Sequence, residues 1–460
     1  MELSDIREII SGIKGVDYAD LYASRGVSHH VRFDDGRMDT LSSSRGGGLG
    51  VRVIRGGNSV YAYTMGTGVS DVKSVISKAE EMSGASIPSC GEDGDLMPEE
   101  ELIPPSMDAG FLNDLDRALR LECEYLKQAA FGYSTSRKSI LIVRRDGSIS
   151  RDEHVYTSFR VSLVLEKGGT VETGYESRSR TCGVKDFWAG ADGDRPETPE
   201  RIARTALTRG LKLLDAIPCP AGKMTVLLDG GAGGAMIHEA CGHGLEADIV
   251  QKDYSVFRDK LGARVASETV TIIDDATIPG KWGSYIYDDE GTPGARNVLV
   301  KNGILERYMT DILSARQCGL PITGNGRRQS YADLPMPRMS NTFVAPGDSS
   351  YEAMLDGMKS GLLVKKMGGG EVNPTSGDFV FQVTEGYLVK NGELGPLVKG
   401  ATLEGNGPEA LWNIEAVGRD LTLDPGTCGK SGQSVPVTDG QPALLIKNLT
   451  VGGSDTENAR

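Results

Sequence analysis

Residues 229–248, DGGAGGAMIHEACGHGLEAD, constrain the fold more than any other stretch. They hold two of the five histidines in 460 residues, His238 and His243, with Glu239 directly after the first. A helix turns about 100° per residue, so side chains four apart share a face, while side chains five apart diverge by roughly 140°. If the two imidazoles act together, this segment is not a regular α-helix. Two devices can bring the rings to one point. A one-residue π-bulge absorbs the extra residue. Alternatively the helix breaks at Gly242, whose backbone tolerates unusual dihedrals.

The pattern reads HExxxH, one residue longer than the HExxH of zinc proteases. Neutral imidazoles suit Zn²⁺, and a catalytic zinc keeps three protein ligands plus a place for water. His238 and His243 are therefore candidate ligands. Glu239 is the candidate group for taking a proton from that water. The bland alternative is a helix carrying two histidines and no metal. Spacing leaves the third ligand open. Cys428 lies in PGTCGKSG (425–432), where small neighbours allow close approach and Lys430 can favour the thiolate. Cys241 follows His238 by three residues on nearly the same face. Glu246 and Asp248 are also near, although carboxylates more often brace a ligand imidazole through its other N–H. The glycine run 230–234 after a strand-like segment also suggests a dinucleotide loop, but it lacks the third glycine of GxGxxG and the histidine helix follows at once.

Composition narrows the partners. A net charge of −14 argues against nucleic acid or an anionic membrane surface. Seven scattered cysteines without CxxC spacing suggest no disulfide framework and a reducing, cytoplasmic setting. The start, MELSDIREIISGIKG, has neither the basic nor the apolar region of a signal peptide, and no run of about 18 apolar residues is present. With 61 glycines and only 9 phenylalanines, the chain reads as β-rich and turn-rich.

The expected fold class is α+β in two domains. Residues 1–217 form an N-terminal α/β domain, with an internal linker at about 83–106 rich in Pro, Gly, Ser and acids. Residues 218–460 form a β-rich domain, an antiparallel sandwich or barrel-like sheet, carrying the histidine helix. The periodicity predicts helices over 3–13, 69–82, 111–130 and 197–216, the last with Thr198 as N-cap and Pro199 at its first position. Strands are predicted at 19–25, 29–42, 139–144 and 156–167, with a hairpin over 50–64 turning at Gly56-Gly57-Asn58. Later strands are expected at 224–228, 267–273, 298–300, 361–367, 379–389 and 443–451.

Several long segments carry a resemblance. They are GGGLGVRVI (46–54), HEACGHGLEAD (238–248), DDEGTPG (288–294), GNGRRQSYADLPMPRMSNTFVAPG (324–347) and TCGKSGQSVPVTDGQPALLIKNLTVGG (427–453). In these the chain resembles the TldD/PmbA family of metallopeptidases, the TldD type in particular. The resemblance implies a zinc-dependent peptidase acting on peptides or unfolded segments. It implies His238, His243 and Cys428 as ligands and Glu239 as catalytic acid/base. The PmbA/TldE branch generally lacks the motif and serves as an inactive partner. Family members form homodimers, or heterodimers with a PmbA/TldE-like paralogue, around an inner chamber. The alternative is a non-catalytic, zinc-containing assembly partner in such a complex. Within the matching segments, Tyr331, Arg338 and Asn341 are candidate substrate contacts, each equally readable as a structural loop residue. Asp288, Asp289 and Glu290 can bind a peptide N-terminus or cap a turn.

Overall fold

The first half is organised on one antiparallel sheet of six strands. These are β1 (Tyr18–Asp34), β2 (Arg37–Arg55), β3 (Asn58–Met65), β4 (Leu126–Arg144), β5 (Ile149–Lys167) and β6 (Thr170–Arg180). Their order is β3-β2-β1-β4-β5-β6. The computed structural model describes residues 3–86, 96–97, 110–190, 196–373 and 375–453. Most of the linker expected at 83–106 therefore lies outside the described residues.

The strands are longer than their patterns predict. The two strands expected at 19–25 and 29–42 are replaced by β1, which passes Gly26 without interruption, and by the start of β2. The middle of β1 pairs on both sides, Ser28 opposite Ser44 and Ser136, so its polar residues need no turn. The chain reverses instead at Asp35-Gly36, with φ of 48° and 83°. The turn at Gly56-Gly57 is as expected, with φ of 56° and 77°.

Helices α1 (Leu3–Ser11) and α2 (Val69–Ser83) cover one end of the sheet, against Leu21, Val51 and Val143. Helices α3 (Phe111–Glu122), α4 (Val184–Ala189) and α5 (Pro199–Leu214) cover the other end, against Phe33, Phe131 and Phe159. The helix expected to reach 130 stops at Glu122. Cys123 is extended, and Leu126 onward pairs with β5, so tertiary pairing overrides local helix preference. Thr198 caps α5 as expected, accepting from the Arg201 N–H. In β1 the core residues Ala19, Leu21, Val31 and Phe33 share one face. The opposite face, with Asp20, Tyr22, Ser24 and Ser28, turns toward the second half of the chain.

That second half contains a closed barrel. Ser360–Val372 pairs with Gly222–Leu228, which pairs with Leu444–Gly452, then Thr402–Asn406, then Asp378–Lys390, which returns to Ser360–Val372. The barrel-like expectation holds, with one difference: Gly222–Leu228 and Ser360–Val372 run parallel. A second sheet of six strands lies beside the barrel and ends in the hairpin Thr422–Lys430 and Gln433–Gln441. The strand expected at 267–273 begins only at Ile272. Met236, Ile237 and Leu245 from the histidine segment enter the same core as Val226, Val364 and Leu444. That burial fixes the segment against the barrel.

Candidate metal centre

The histidine segment is built from three kinds of turn. A short α-turn, Ala235–Ile237, runs into a π-turn, His238–Gly242, and then a 3₁₀ turn, His243–Leu245. The N–H of His243 donates to the carbonyl of His238, five residues back. Gly242 keeps right-handed helical dihedrals, φ −52° and ψ −58°. Of the two devices open from spacing, the chain uses the bulge. The imidazole centroids are 5.0 Å apart with planes at 86°.

Two glycines allow the neighbours to come close. A Cβ on Gly242 would lie 2.1 Å from Met339 Sδ. A Cβ on Gly234 would lie 2.1 Å from the backbone nitrogen of Gly440. The helix start therefore presses on the strand Gln433–Gln441. That hairpin turns at Ser431-Gly432, both at positive φ, 51° and 79°. Cys428 pairs with Val435 and Asp424 with Asp439, so Cys428 and Asp439 share the face toward the helix.

The result is a cluster of three donors. Cys428 Sγ lies 3.5 Å from His243 Nε2. Donor atoms of His238, His243 and Cys428 all lie within 4.8 Å of one another. Each imidazole is braced through its other nitrogen. His238 Nδ1 is 2.6 Å from Asp439 Oδ1, and His243 Nδ1 is 2.9 Å from Glu246 Oε2. Carboxylates in these places fix the tautomer and leave Nε2 for a metal. Burial alone would raise the Cys428 thiol, but the hydrogen bonds and charges of His238 and His243 outweigh it and hold the thiol down at about 5. Glu246 keeps its charge despite complete burial, because Lys430 and then His243 pull it down to about 2. Burial raises the half-buried Glu239 carboxyl, with His238 and His243 opposing. Two imidazoles and a thiolate, buried and braced, form a donor set that fits Zn²⁺.

The other candidate ligands lie outside this cluster. Cys241 points its thiol at the Ile237 carbonyl, 3.2 Å away, and burial pushes it up to about 12. Asp248 pairs with Lys430 Nζ at 2.6 Å. Lys430 also meets Glu246 at 2.9 Å, so its charge serves the carboxylates rather than the thiol directly.

Known proteins bear on this geometry. Residues 19–83, 93–214 and 221–453 match profiles of the PmbA/TldA metallopeptidase domain 1, central domain and C-terminal domain. The chain belongs to the PmbA/TldD family of metallopeptidases. It is 36% identical to a metalloprotease TldD homolog of Haemophilus influenzae, over 98% of this chain and 96% of that one. It is also 36% identical to a metalloprotease of Methanocaldococcus jannaschii, over 92% and 94%. The crystal structure of TldE from Thermococcus kodakarensis shares the fold, with a TM-score of 0.73 at 20% identity, over 96% and 98% of the two chains. This PmbA/TldD chain is thus a metallopeptidase, and the His/His/Cys cluster is where its residues can hold a metal. No helix among the described residues is long and apolar enough to cross a membrane.

The remaining residues singled out from the sequence fall in three places. Arg338 is fully buried and donates to the carbonyls of Cys428 and Gln433, so it holds the hairpin that carries Cys428. Asn341 is also buried and donates to the Asp275 carbonyl and Ser284 Oγ. Tyr331 is half-buried and lines a cavity between the two halves of the chain. Asp288 caps a turn, accepting from the N–H groups of Glu290, Thr292 and Gly326. Glu290 binds Arg52 of β2 at 2.6 Å. Asp439 had no signal in the sequence: it braces a histidine 201 residues away from within an ordinary strand.

Proposed function

We propose that this chain is the catalytic, TldD-type member of its family, a cytoplasmic zinc peptidase that hydrolyses peptides or unfolded protein segments. The observation that carries this reading is the convergence of His238, His243 and Cys428, with the Glu239 carboxylate next to the first. Zinc bound there would acidify a water and polarise a peptide carbonyl. The chain's own residues do the rest. Asp439 and Glu246 orient the two rings, and Arg338 holds the backbone of Cys428. Glu239 accepts the proton of the attacking water and returns it to the leaving amine. The cluster has three donors among the described residues, the number that leaves a position for water, whereas a structural zinc takes four. Of the three candidate substrate contacts, Tyr331 is the one we assign to substrate; Arg338 and Asn341 are scaffold. The partner is a second copy or a PmbA/TldE-like chain.

Glu239→Gln tests the mechanism. Metal content should be unchanged, while hydrolysis of an unfolded peptide should fall by about 10²–10⁴-fold. Retained turnover would refute the role of Glu239. A wild-type protein that binds zinc and hydrolyses nothing, alone or with its paralogue, would favour the non-catalytic assembly reading.

A further inference from the structure

Between the two halves lies a groove that the metal chemistry does not use. It consists of two cavities of about 380 and 520 Å³ that share Ser28, Ser136, Tyr156 and Pro436. One wall is the face of the β1–β6 sheet opposite α1 to α5. Cross-strand register places Ser44, Ser28, Ser136 and Tyr156 in one row. Ser134 and Ser158 follow in the next row one way, and Lys138 and His154 the other way. The opposite wall is the ligand hairpin. Ser434 and Pro436 flank Val435, the cross-strand partner of Cys428, so they project from the face opposite the thiol. At the far end the groove reaches Pro425, Gly426 and Thr427, at the outer edge of the strand that carries Cys428.

One end of this groove is cationic, in a chain of net charge −14. Lys138 is half-buried there and, among the described residues, donates to the Gln329 carbonyl at 3.1 Å. Arg327 is 6% exposed, donates to the Met339 carbonyl and lies over the Tyr285 ring. Neither forms an ion pair with a carboxylate among the described residues. The acids that line the same cavity are already engaged: Asp288 accepts three backbone N–H groups and Asp289 accepts the Arg328 N–H. Burial lowers the Lys138 ammonium, and the positive charges of Arg328 and Arg327 add to that while Asp289 opposes it. Five basic side chains, Arg25, Arg137, Lys138, Arg327 and Arg328, line this cavity against two carboxylates, Asp288 and Asp289, so positive charge is in excess there.

We infer that Lys138 and Arg327 bind the C-terminal carboxylate of a peptide substrate, whose last residues lie extended along the serine face of the groove. The inference rests on the peptidase reading and names the end of the substrate that is held. Lys138 and Ser134 are four residues apart on one strand, roughly 13 Å, which is room for about four extended residues. Serine hydroxyls both donate and accept, so they serve any backbone without selecting side chains. A chain leaving the groove past the free edge of Thr422–Lys430 crosses one strand width, about 5 Å, to the metal face. The anchor thus tethers the carboxyl end on one side of the hairpin while hydrolysis takes place on the other.

The test is equilibrium binding to full-length, zinc-loaded Glu239→Gln protein, which does not turn the peptide over. The probe is one unstructured ten-residue peptide made as the free acid and as the C-terminal amide. The acid should bind about tenfold tighter or more, the effect expected of a charged hydrogen-bonded pair in a partly buried site. Adding Lys138→Gln and Arg327→Gln should bring the acid-to-amide ratio to about one. Equal binding of acid and amide, binding of neither, or a ratio that survives both substitutions overturns the inference. If Arg327→Gln does not fold, Lys138→Gln alone decides, since an unchanged ratio in that variant also overturns it. Hydrolysis by the unmodified protein is measured separately. Acid-selective binding without hydrolysis, alone or with the paralogue, would sink the peptidase reading and leave the anchor standing.

Discussion

Asp439→Asn is the substitution with the cleanest expected effect. Among the described residues its carboxylate makes one side-chain hydrogen bond, to His238 Nδ1 at 2.6 Å, and it pairs otherwise through its backbone. Asparagine keeps the size of the side chain and the strand. It removes the negative charge that holds the imidazole with Nε2 free for metal. Losing a partner of this kind lowers metal affinity by about 10–100-fold, or roughly 1.4–2.7 kcal/mol. Glu246→Gln should do the same through the other ring, where Glu246 Oε2 lies 2.9 Å from His243 Nδ1. Because the carboxylates act on separate rings, the double variant should lose about 10²–10⁴-fold. Titration of the zinc-loaded proteins with a chelator of known affinity gives each constant directly. Unchanged affinity in Asp439→Asn would refute the bracing argument. A double variant no weaker than either single one would show that the two rings do not hold a common ion.

Four further perturbations separate the parts of the structure. Cys428→Ser should leave the protein folded with sharply lower zinc content by elemental analysis; an unchanged stoichiometry moves the third ligand elsewhere. Gly242→Ala places a Cβ 2.1 Å from the buried Met339 Sδ, so it should destabilise by about 1–3 kcal/mol in denaturant titration and also weaken metal binding. Arg338→Met should weaken zinc binding without touching substrate affinity, because the guanidinium holds the Cys428 carbonyl; a selective rise in KM would instead make it a substrate contact. Burial raises Glu290 to about 7, with Arg52 opposing and Asp311 adding. A raised carboxyl favours folding below its unfolded value and loses that contribution as pH rises. Wild type should therefore lose stability relative to Glu290→Gln between about pH 4.5 and 7, and a constant difference would show that Glu290 is charged throughout.

The parts of this protein legible in its sequence are those decided by near neighbours. The HExxxH spacing demanded an irregular helix, and the π-turn at His238–Gly242 supplies it. Gly56-Gly57 turned the hairpin and Thr198 capped its helix because those preferences are local. What was not legible depends on distant pairing. β1 runs through Gly26 because β2 and β4 flank it on both sides. Residues 126–130 leave the helical pattern because β5 pairs with them. The small-residue loop around Cys428 favoured this thiol only slightly over Cys241, and the family resemblance rather than spacing pointed to it. The distinction is made by the strand alternation of the hairpin and by a helix thiol that turns back on its own carbonyl.

The N-terminal half is tied to the second half by buried charge as well as by small apolar clusters, Tyr18 and Ile54 with Ile312, and Tyr22 and Ile140 with Tyr331. Arg52, 1% exposed, bridges Asp20 of its own sheet to Glu290 of the other half. The same turn holds Gly326 through Asp288, and the chain from there leads to Arg338, which donates to the Cys428 carbonyl. A buried ion pair of this kind adds little net stability, since desolvation offsets most of the attraction. What it does supply is position. An apolar contact tolerates sliding, whereas removing one member of this network leaves a charge buried without its partner, at a cost of about 3–5 kcal/mol. The sheet is thereby held in one register over the hairpin, and its serine face meets the outer side of the strand that carries Cys428. A groove between two units needs that fixed relation more than it needs added stability, and this explains why the charges lie at the junction.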